Sequence, residues 1–168
     1  MTAEQISSLR ATAHPLRLRM LSLLTGSAMS AAEVARELGI THANASYHLR
    51  LLHDAELVVV DGEERIRGGV AKRYRYPHER PEPKPSEEDL AAQIEAMCSE
   101  LKRRSTHRKP GKGNFTDAEL WVTPDTWEQA LDLVTRASML LHEEAKRPRT
   151  KGTAPVNLTV AAFRLEQR

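Results

Sequence analysis

A two-residue connection between two short helical patterns constrains this chain more than any other feature. Ser30 is followed three residues later by Glu33, which is the pattern of a capping box at a helix start. Gly39 ends that helix, because glycine takes the left-handed conformation without a Cβ penalty, and Thr41 caps the next one. Since so short a connection forces two helices to cross at a steep angle, the pattern predicts a helix-turn-helix.

The second helix, from about residue 43 to about residue 55, has an apolar face and a polar face. Ala45, Leu49 and Leu52 follow helical spacing and are expected to face the core. The outer face is polar, with His48 on its flank, and the first residues of such a helix reach base edges in a helix-turn-helix. The alternative is a solvated polar face. The residues predicted to contact bases are Thr41, His42, Ala43, Asn44, Ser46 and Tyr47.

A basic β-hairpin is predicted directly after this helix. Leu57 to Val60 is an apolar, β-branched run typical of a strand, Gly68 and Gly69 mark a turn, and residues 71–76 form the return strand. Cations on such a wing lie beside phosphates and add affinity that falls with salt. The alternative is a basic surface hairpin with no ligand. The predicted phosphate contacts are Arg50, Arg65, Arg67, Lys72, Arg73 and Arg75.

These residues resemble the winged-helix regulators of the ArsR type. The resemblance covers residues 11–76 and rests on Ala-His-Pro-Leu-Arg at 13–17, on leucines 21, 23 and 24, and on residues 45–52 followed by Leu57-Val58. It implies a homodimeric, DNA-binding transcriptional regulator, often a repressor. The family usually has glycine where this chain has Glu56, and its metal sensors carry a cysteine pair in the helix that corresponds to residues 31–38, which here has none. The resemblance therefore implies DNA binding and not metal sensing.

Prolines divide the chain into two parts. Four of them fall between residues 77 and 85, which predicts a stiff, extended linker over 78–85 between a DNA-binding domain, 1–77, and a second domain, 86–168. Ser86 would cap a long helix with one apolar stripe, for which we expect a partner subunit; intramolecular packing is the alternative. The predicted dimer contacts are Leu90, Ile94, Met97 and Leu101.

The rest of the second domain predicts a small strand-helix-strand unit. Residues 118–122 and 156–165 have the composition of strands, and Thr123-Pro124-Asp125 starts a helix that runs to about residue 145. The fold class expected is therefore mainly α with a small β component (α+β). The tryptophans and phenylalanines all lie here and line either an effector pocket or a core: Phe115, Trp121, Trp127 and Phe163. The basic run at 102–112 is either a solvated loop or a second phosphate contact through Arg103, Arg104 and Arg108.

Composition narrows the classes of function. The net charge is only +2, so affinity for DNA must come from a local patch. The single cysteine, Cys98, fits a reducing cytoplasm, and no apolar run approaches the roughly 20 residues that span a bilayer. Scattered histidines and the lack of a phosphate loop or nucleophile elbow predict neither a metal, nor a cofactor, nor an enzyme. We expect a cytoplasmic homodimer on double-stranded DNA. The alternatives are a winged helix for protein or RNA, and a sensor with a small-molecule or metal effector site in the C-terminal half.

Overall fold

The computed structural model describes residues 11–79 and 87–166, with the backbone alone at 87–89. The elements in these ranges are α1 (Pro15–Gly26), β1 (Met29–Ser30), α2 (Ala31–Leu38), α3 (His42–Asp54), β2 (Val59–Ile66), β3 (Gly69–Arg75), α4 (Glu87–Ser105) and α5 (Pro124–Glu143). The predicted α+β class is confirmed, with a helix-turn-helix followed by a wing-like hairpin. None of the helices in the described ranges is long and apolar enough to cross a bilayer.

Local hydrogen bonds set the helix boundaries around the turn. The Ser30 backbone N–H donates to the Glu33 carboxylate at 2.8 Å, and the Glu33 N–H donates back to the Ser30 hydroxyl at 3.4 Å. Gly39 takes the left-handed conformation at φ 66°, and the Thr41 hydroxyl accepts from the Asn44 N–H at 3.2 Å. The capping box, the glycine stop and the threonine cap are all confirmed.

The end of α3 has the geometry that glycine normally provides. Glu56 adopts φ 58°, and the Leu57 N–H donates to the Leu52 carbonyl at 2.9 Å, as in a Schellman motif. A side chain with a Cβ is strained there, by roughly 1–2 kcal/mol. The departure from the ArsR pattern at Glu56 therefore changes the residue but not the way in which the helix ends.

The hairpin joins a third, very short strand. The sheet order is β1-β3-β2, all antiparallel, with Val59 opposite Arg75, Ile66 opposite Gly69, and a register shift between Val60 and Gly62. The hairpin is confirmed, although its strands begin at 59 and 69 where the sequence predicted 57 and 71. β1 was not predicted, because two residues are too few to show an alternating pattern.

One apolar core lies under the helix-turn-helix. It is formed by a residue before α1, the buried faces of α1, α2 and α3, one residue of β1 and the residues that lead into β2: Ala11, Met20, Leu21, Leu24, Met29, Val34, Ala35, Ala45, Leu49, Leu52, Leu57 and Val58. The predicted inner face of α3 is confirmed. The placement of His48 on the outer flank was wrong, because its side chain turns inward and leaves the residue 8% exposed.

The C-terminal half is far less buried. α5 is confirmed, but its twenty residues include none that is buried. The prediction of strands at 118–122 and 156–165 is wrong for the single chain: both segments lie outside every strand. A segment with strand-like composition forms a strand only where a neighbouring edge supplies hydrogen-bond partners, and none of the backbone hydrogen bonds among the described residues involves these segments.

Helix α4 packs against α1. In its predicted dimer stripe, Leu90, Ile94 and Met97 are half-buried within the chain and Leu101 is 41% exposed. Residues 80–86, with most of the predicted linker and the cap at Ser86, lie outside the described residues. The division into domains 1–77 and 86–168 stays a prediction.

Candidate nucleic-acid interface

The first half of α3 presents a continuous exposed surface. No acidic residue stands in its first turn, so the positive end of the helix dipole is not neutralised. Tyr47 is 53% exposed, and Ser46 is half-buried beside it. The structure thus brings all the predicted base-contacting residues together at one helix end: Thr41, His42, Ala43, Asn44, Ser46 and Tyr47.

Arg50 borders this surface one turn further along α3. Its Nε donates to the Ser46 carbonyl at 3.4 Å, which aligns the side chain along the helix. No carboxylate among the described residues lies within ion-pairing distance of this exposed guanidinium. Arg50 is therefore placed to meet an anion beside the base-contacting residues.

Two histidines and an arginine lie behind α3. The His48 ring centroid is 5.0 Å from that of His14, whose Nδ1 accepts the Leu16 N–H at 3.1 Å and so caps α1. Burial, then the positive charge of Arg17, lowers the pKa of His14; burial, then His14 and Arg17, lowers the pKa of His48. Both rings are therefore neutral near pH 7, and the hydrogen bond that His14 Nδ1 accepts also requires a neutral ring. Sequence reasoning missed this pair, since the two rings are distant along the chain.

Two arginines of the wing are held by carboxylates of the same chain. Arg73 lies 3.0 Å from Glu33 and 2.9 Å from Glu64, and it also donates to the Ala28 carbonyl at 2.6 Å. Arg75 lies 3.0 Å from Glu79, and its hydrogen bonds are the largest cause that lowers the pKa of Glu79 to about 2. These two side chains therefore brace the hairpin as it stands.

The other cations of the wing point into solvent. Arg65, Arg67 and Lys72 are exposed, and none forms an ion pair with the described part of the chain. Arg65 and Lys72 lie on the two hairpin strands, and Arg67 lies in the turn between them. Together with Arg50, these residues form what we call the free cation set.

An ion pair of Glu33 connects α2 to the C-terminal half. Burial opposes its ionisation, but the Ser30 backbone N–H, Arg73 and Arg147 outweigh that effect and lower the pKa of Glu33. Arg147 lies 3.0 Å from this carboxylate, across 114 residues of sequence. The sequence identified Glu33 only as a cap, because no local pattern signals a partner so far along the chain.

Two further contacts hold the segment after α5 against the helix-turn-helix. Arg149 forms an ion pair with Glu37 of α2. At the end of α1, a Cβ on Gly26 would overlap the Lys146 carbonyl, so the two backbones approach more closely than any other residue would allow. We call residues 146–149 the docking segment.

The basic run after α4 is largely engaged by the chain itself. Arg103 and Arg104 lie 2.8 Å and 3.4 Å from Glu100, which is 3% exposed. Arg108 lies over the Phe115 ring at 5.8 Å. All three cations named for a second phosphate contact thus have partners in the chain.

Two clefts border the described C-terminal half, and the larger one also borders the N-terminal half. The larger, of about 830 Å³, lies between α1, α4 and α5 and includes Met97, Glu100 and His142 in its wall. The smaller, of about 470 Å³, lies between residues 117–119 and 161–165 and is bordered by Trp127. Of the four aromatic residues suggested for an effector pocket, Trp127 and Phe163 border the smaller cleft; Phe115 and Trp121 border neither cleft and are 80% and 83% exposed. In the described ranges, no three side chains of His, Cys, Asp or Glu gather in a metal-binding cluster.

The sequence comparison agrees with this geometry. Residues 12–61 match the family model of a helix-turn-helix domain, found in ArsR-type and related regulators. The matched stretch begins shortly before α1, contains α1, β1, α2 and α3, and ends within β2. Match and structure together indicate a DNA-binding regulator. The comparison with curated proteins finds no match.

Proposed function

We propose that this protein is a sequence-specific transcriptional regulator of the ArsR type that binds double-stranded DNA as a homodimer and represses transcription. The observation that carries the proposal is the outer side of the first turn of α3, which is exposed, presents His42 and Asn44 and is free of acids within a helix-turn-helix. An α-helix of this kind enters the major groove with its N-terminal residues toward the base edges. A non-enzymatic role in the cytoplasm is part of the same proposal.

Bases and phosphates are contacted by different residues. Asn44 and Tyr47 carry the sequence preference, with Thr41, His42, Ala43 and Ser46 around them. The free cation set contacts phosphates, which gives affinity without sequence information. Arg73 and Arg75 meet phosphates only by leaving their carboxylates, so their main role is to brace the wing. Arg73 holds it against Glu33 of α2, and Arg75 holds it against Glu79.

The homodimer places two copies of α3 on one face of the duplex. Their half-sites are about one helical turn apart, roughly 34 Å, and form an inverted repeat. The α4 stripe of Leu90, Ile94, Met97 and Leu101 contributes to this dimer through the apolar surface that α1 leaves uncovered.

Selection of bound duplexes from a random pool, followed by footprinting, tests the proposal. We expect an enriched inverted repeat with protected half-sites. Asn44→Ala and Tyr47→Ala should each reduce the preference for the selected site by about tenfold or more, since a base contact contributes about 1–3 kcal/mol. Affinity for random DNA should change little. Asn114→Ala, an exposed asparagine in the C-terminal half, is the matched control.

The phosphate role has its own measurement. Replacing Arg67 by Gln should weaken binding to all sequences alike and reduce the salt slope by about one unit. If no sequence were enriched, and binding were lost when nonspecific competitor DNA is added, the protein would not be a sequence-specific regulator. That result would favour a winged helix for RNA or protein.

The larger cleft favours a second candidate, a regulator that responds to a small molecule. Its volume of about 830 Å³ lies in the range of ligand sites, and its wall is mixed apolar and polar. Such a ligand would contact α1, α4 and α5 together. A thermal shift with a metabolite library, repeated on Met97→Trp to fill the cleft, tests it; equal shifts in both proteins would exclude this cleft.

A further inference from the structure

We propose that a second copy of this chain completes the C-terminal half, by covering the outer face of α5 and by pairing with residues 118–122 and 156–165 as strands. This inference rests on the homodimer of the proposed function. It assigns the main subunit contact to α5 and these two segments, which we call the edge segments, with the α4 stripe in a supporting part.

Helix α5 is apolar on two sides. Trp127, Leu131 and Val134 are half-buried and face the rest of the chain. Leu133 and Leu140 are each 60% exposed, and with Ala137 they form a second stripe at i, i+4 and i+7. A helix that is apolar on both sides is normally covered on both. The small alanine between two leucines lets another helix approach closely.

The edge segments have unused backbone groups and exposed apolar side chains. Val122 is 49% exposed in the first segment, and Val156 and Phe163 are 74% and 56% exposed in the second. Neither segment has a backbone hydrogen bond among the described residues. Open edges of this kind pair readily with another strand. The smaller cleft lies between the two segments, so both of its sides offer unpaired backbone.

The exposed apolar area matches the requirement of a stable dimer. Of the seventeen large apolar residues exposed in the described ranges, twelve lie between 115 and 165. At the size of such side chains, their exposed surface is on the order of 1,000 Å². A standard interface buries about 800 Å² on each partner, so this area is sufficient for one.

A second copy, related by a single two-fold symmetry operation, would cover all of these surfaces. A two-fold contact uses the same patch on both subunits, so each α5 stripe meets its equivalent and each pair of edge segments meets the other pair. The same symmetry brings two α3 helices to an inverted repeat. A different partner protein would leave one of two symmetric DNA half-sites without a bound subunit.

Mass in solution, measured without DNA at micromolar concentration, tests the inference. The wild type should have twice the chain mass of 18.9 kDa. Leu133→Lys should raise the dimer dissociation constant by at least about a hundredfold, because it places a charge in an apolar contact. The matched control is Glu143→Gln, on the polar side of α5. It changes the net charge by the same amount as Leu133→Lys and should leave the dimer unchanged.

Amide hydrogen exchange separates loss of the dimer from loss of the fold. Residues 118–122 and 156–165 should be protected in the wild type and exchange freely in Leu133→Lys, while α2 and α3 stay protected in both. A wild-type monomer would overturn the inference. So would a dimer that survives Leu133→Lys but dissociates in Ile94→Lys, or edge segments that exchange freely in the dimer. A dimer that binds no DNA would overturn only the proposed function.

Discussion

The two halves of this chain differ in how far each completes its own core. All twelve residues of the buried apolar core lie between 11 and 58, whereas in the described part of the C-terminal half only Ala96 and Glu100 are buried. Both halves have good helix caps, at Thr41 and at Thr123. Local signals therefore form helices equally well in both, and the contrast comes from whether tertiary partners exist within the chain.

The largest effect should come from removing a core side chain in the first half. Leu49→Ala should lower the free energy of unfolding by about 2–5 kcal/mol, because Leu49 is fully buried. The same change at Leu140 should lower it by about 0.5 kcal/mol or less when the protein is diluted to monomer. Urea unfolding measures both, and similar losses at the two positions would remove the contrast between the halves.

The contact between the halves should be the next most sensitive. Gly26→Ala should lower the free energy of unfolding by about 1–3 kcal/mol, because its Cβ would overlap the Lys146 carbonyl and push the docking segment away. Gly113→Ala is the control, since a Cβ there meets only Phe115 at an ordinary distance of 3.9 Å. If Gly26→Ala proved neutral, the docking segment would not be held against α1.

Mild acid should weaken the first half through its buried imidazoles. The pKa values of His14 and His48 are lowered below 6.5 in the folded chain, chiefly by burial. Below pH 6.5 the unfolded chain binds protons that the folded chain does not. The unfolding free energy should therefore be highest above pH 6.5 and fall as the pH drops toward 5.5. His48→Leu should flatten this dependence, whereas His42→Leu, an exposed residue, should retain it.

The smallest effect should be a gain in stability at the end of α3. Glu56→Gly should raise the free energy of unfolding by about 0.5–1 kcal/mol, because glycine takes a φ near 58° without strain. Glu56→Ala keeps the Cβ and should give no such gain. A gain from alanine as large as that from glycine would point to the glutamate charge and not to the backbone.

The sequence predicted what local chemistry determines and failed where distant partners decide. Ser30, Gly39 and Thr41 were correctly interpreted because each acts within four residues of itself. His48 was predicted on the wrong face of α3, because helical spacing alone does not show that His14 packs against the inner face of this helix. The strands over 118–122 and 156–165 were predicted from local composition, which cannot supply a neighbouring strand edge to pair with.

On the wing, the sequence predicted the hairpin but not which of its cations form ion pairs with carboxylates of the same chain. Arg65 and Arg73 look alike in the sequence, yet only Arg73 is paired with carboxylates. The division depends on β-register and on the position of α2, and both are set by the assembled core.

The carboxylate of Glu33 has three partners in different parts of the chain. It accepts from the Ser30 backbone, and it also holds Arg73 of the wing and Arg147 of the docking segment. A phosphate that drew Arg73 away would remove a like charge beside Arg147, which holds the other oxygen of the Glu33 carboxylate, and would so strengthen that ion pair. By thermodynamic reciprocity, a tighter hold on Arg147 would then ease the departure of Arg73. Through this one carboxylate, a phosphate bound at the wing and the position of the docking segment would affect each other.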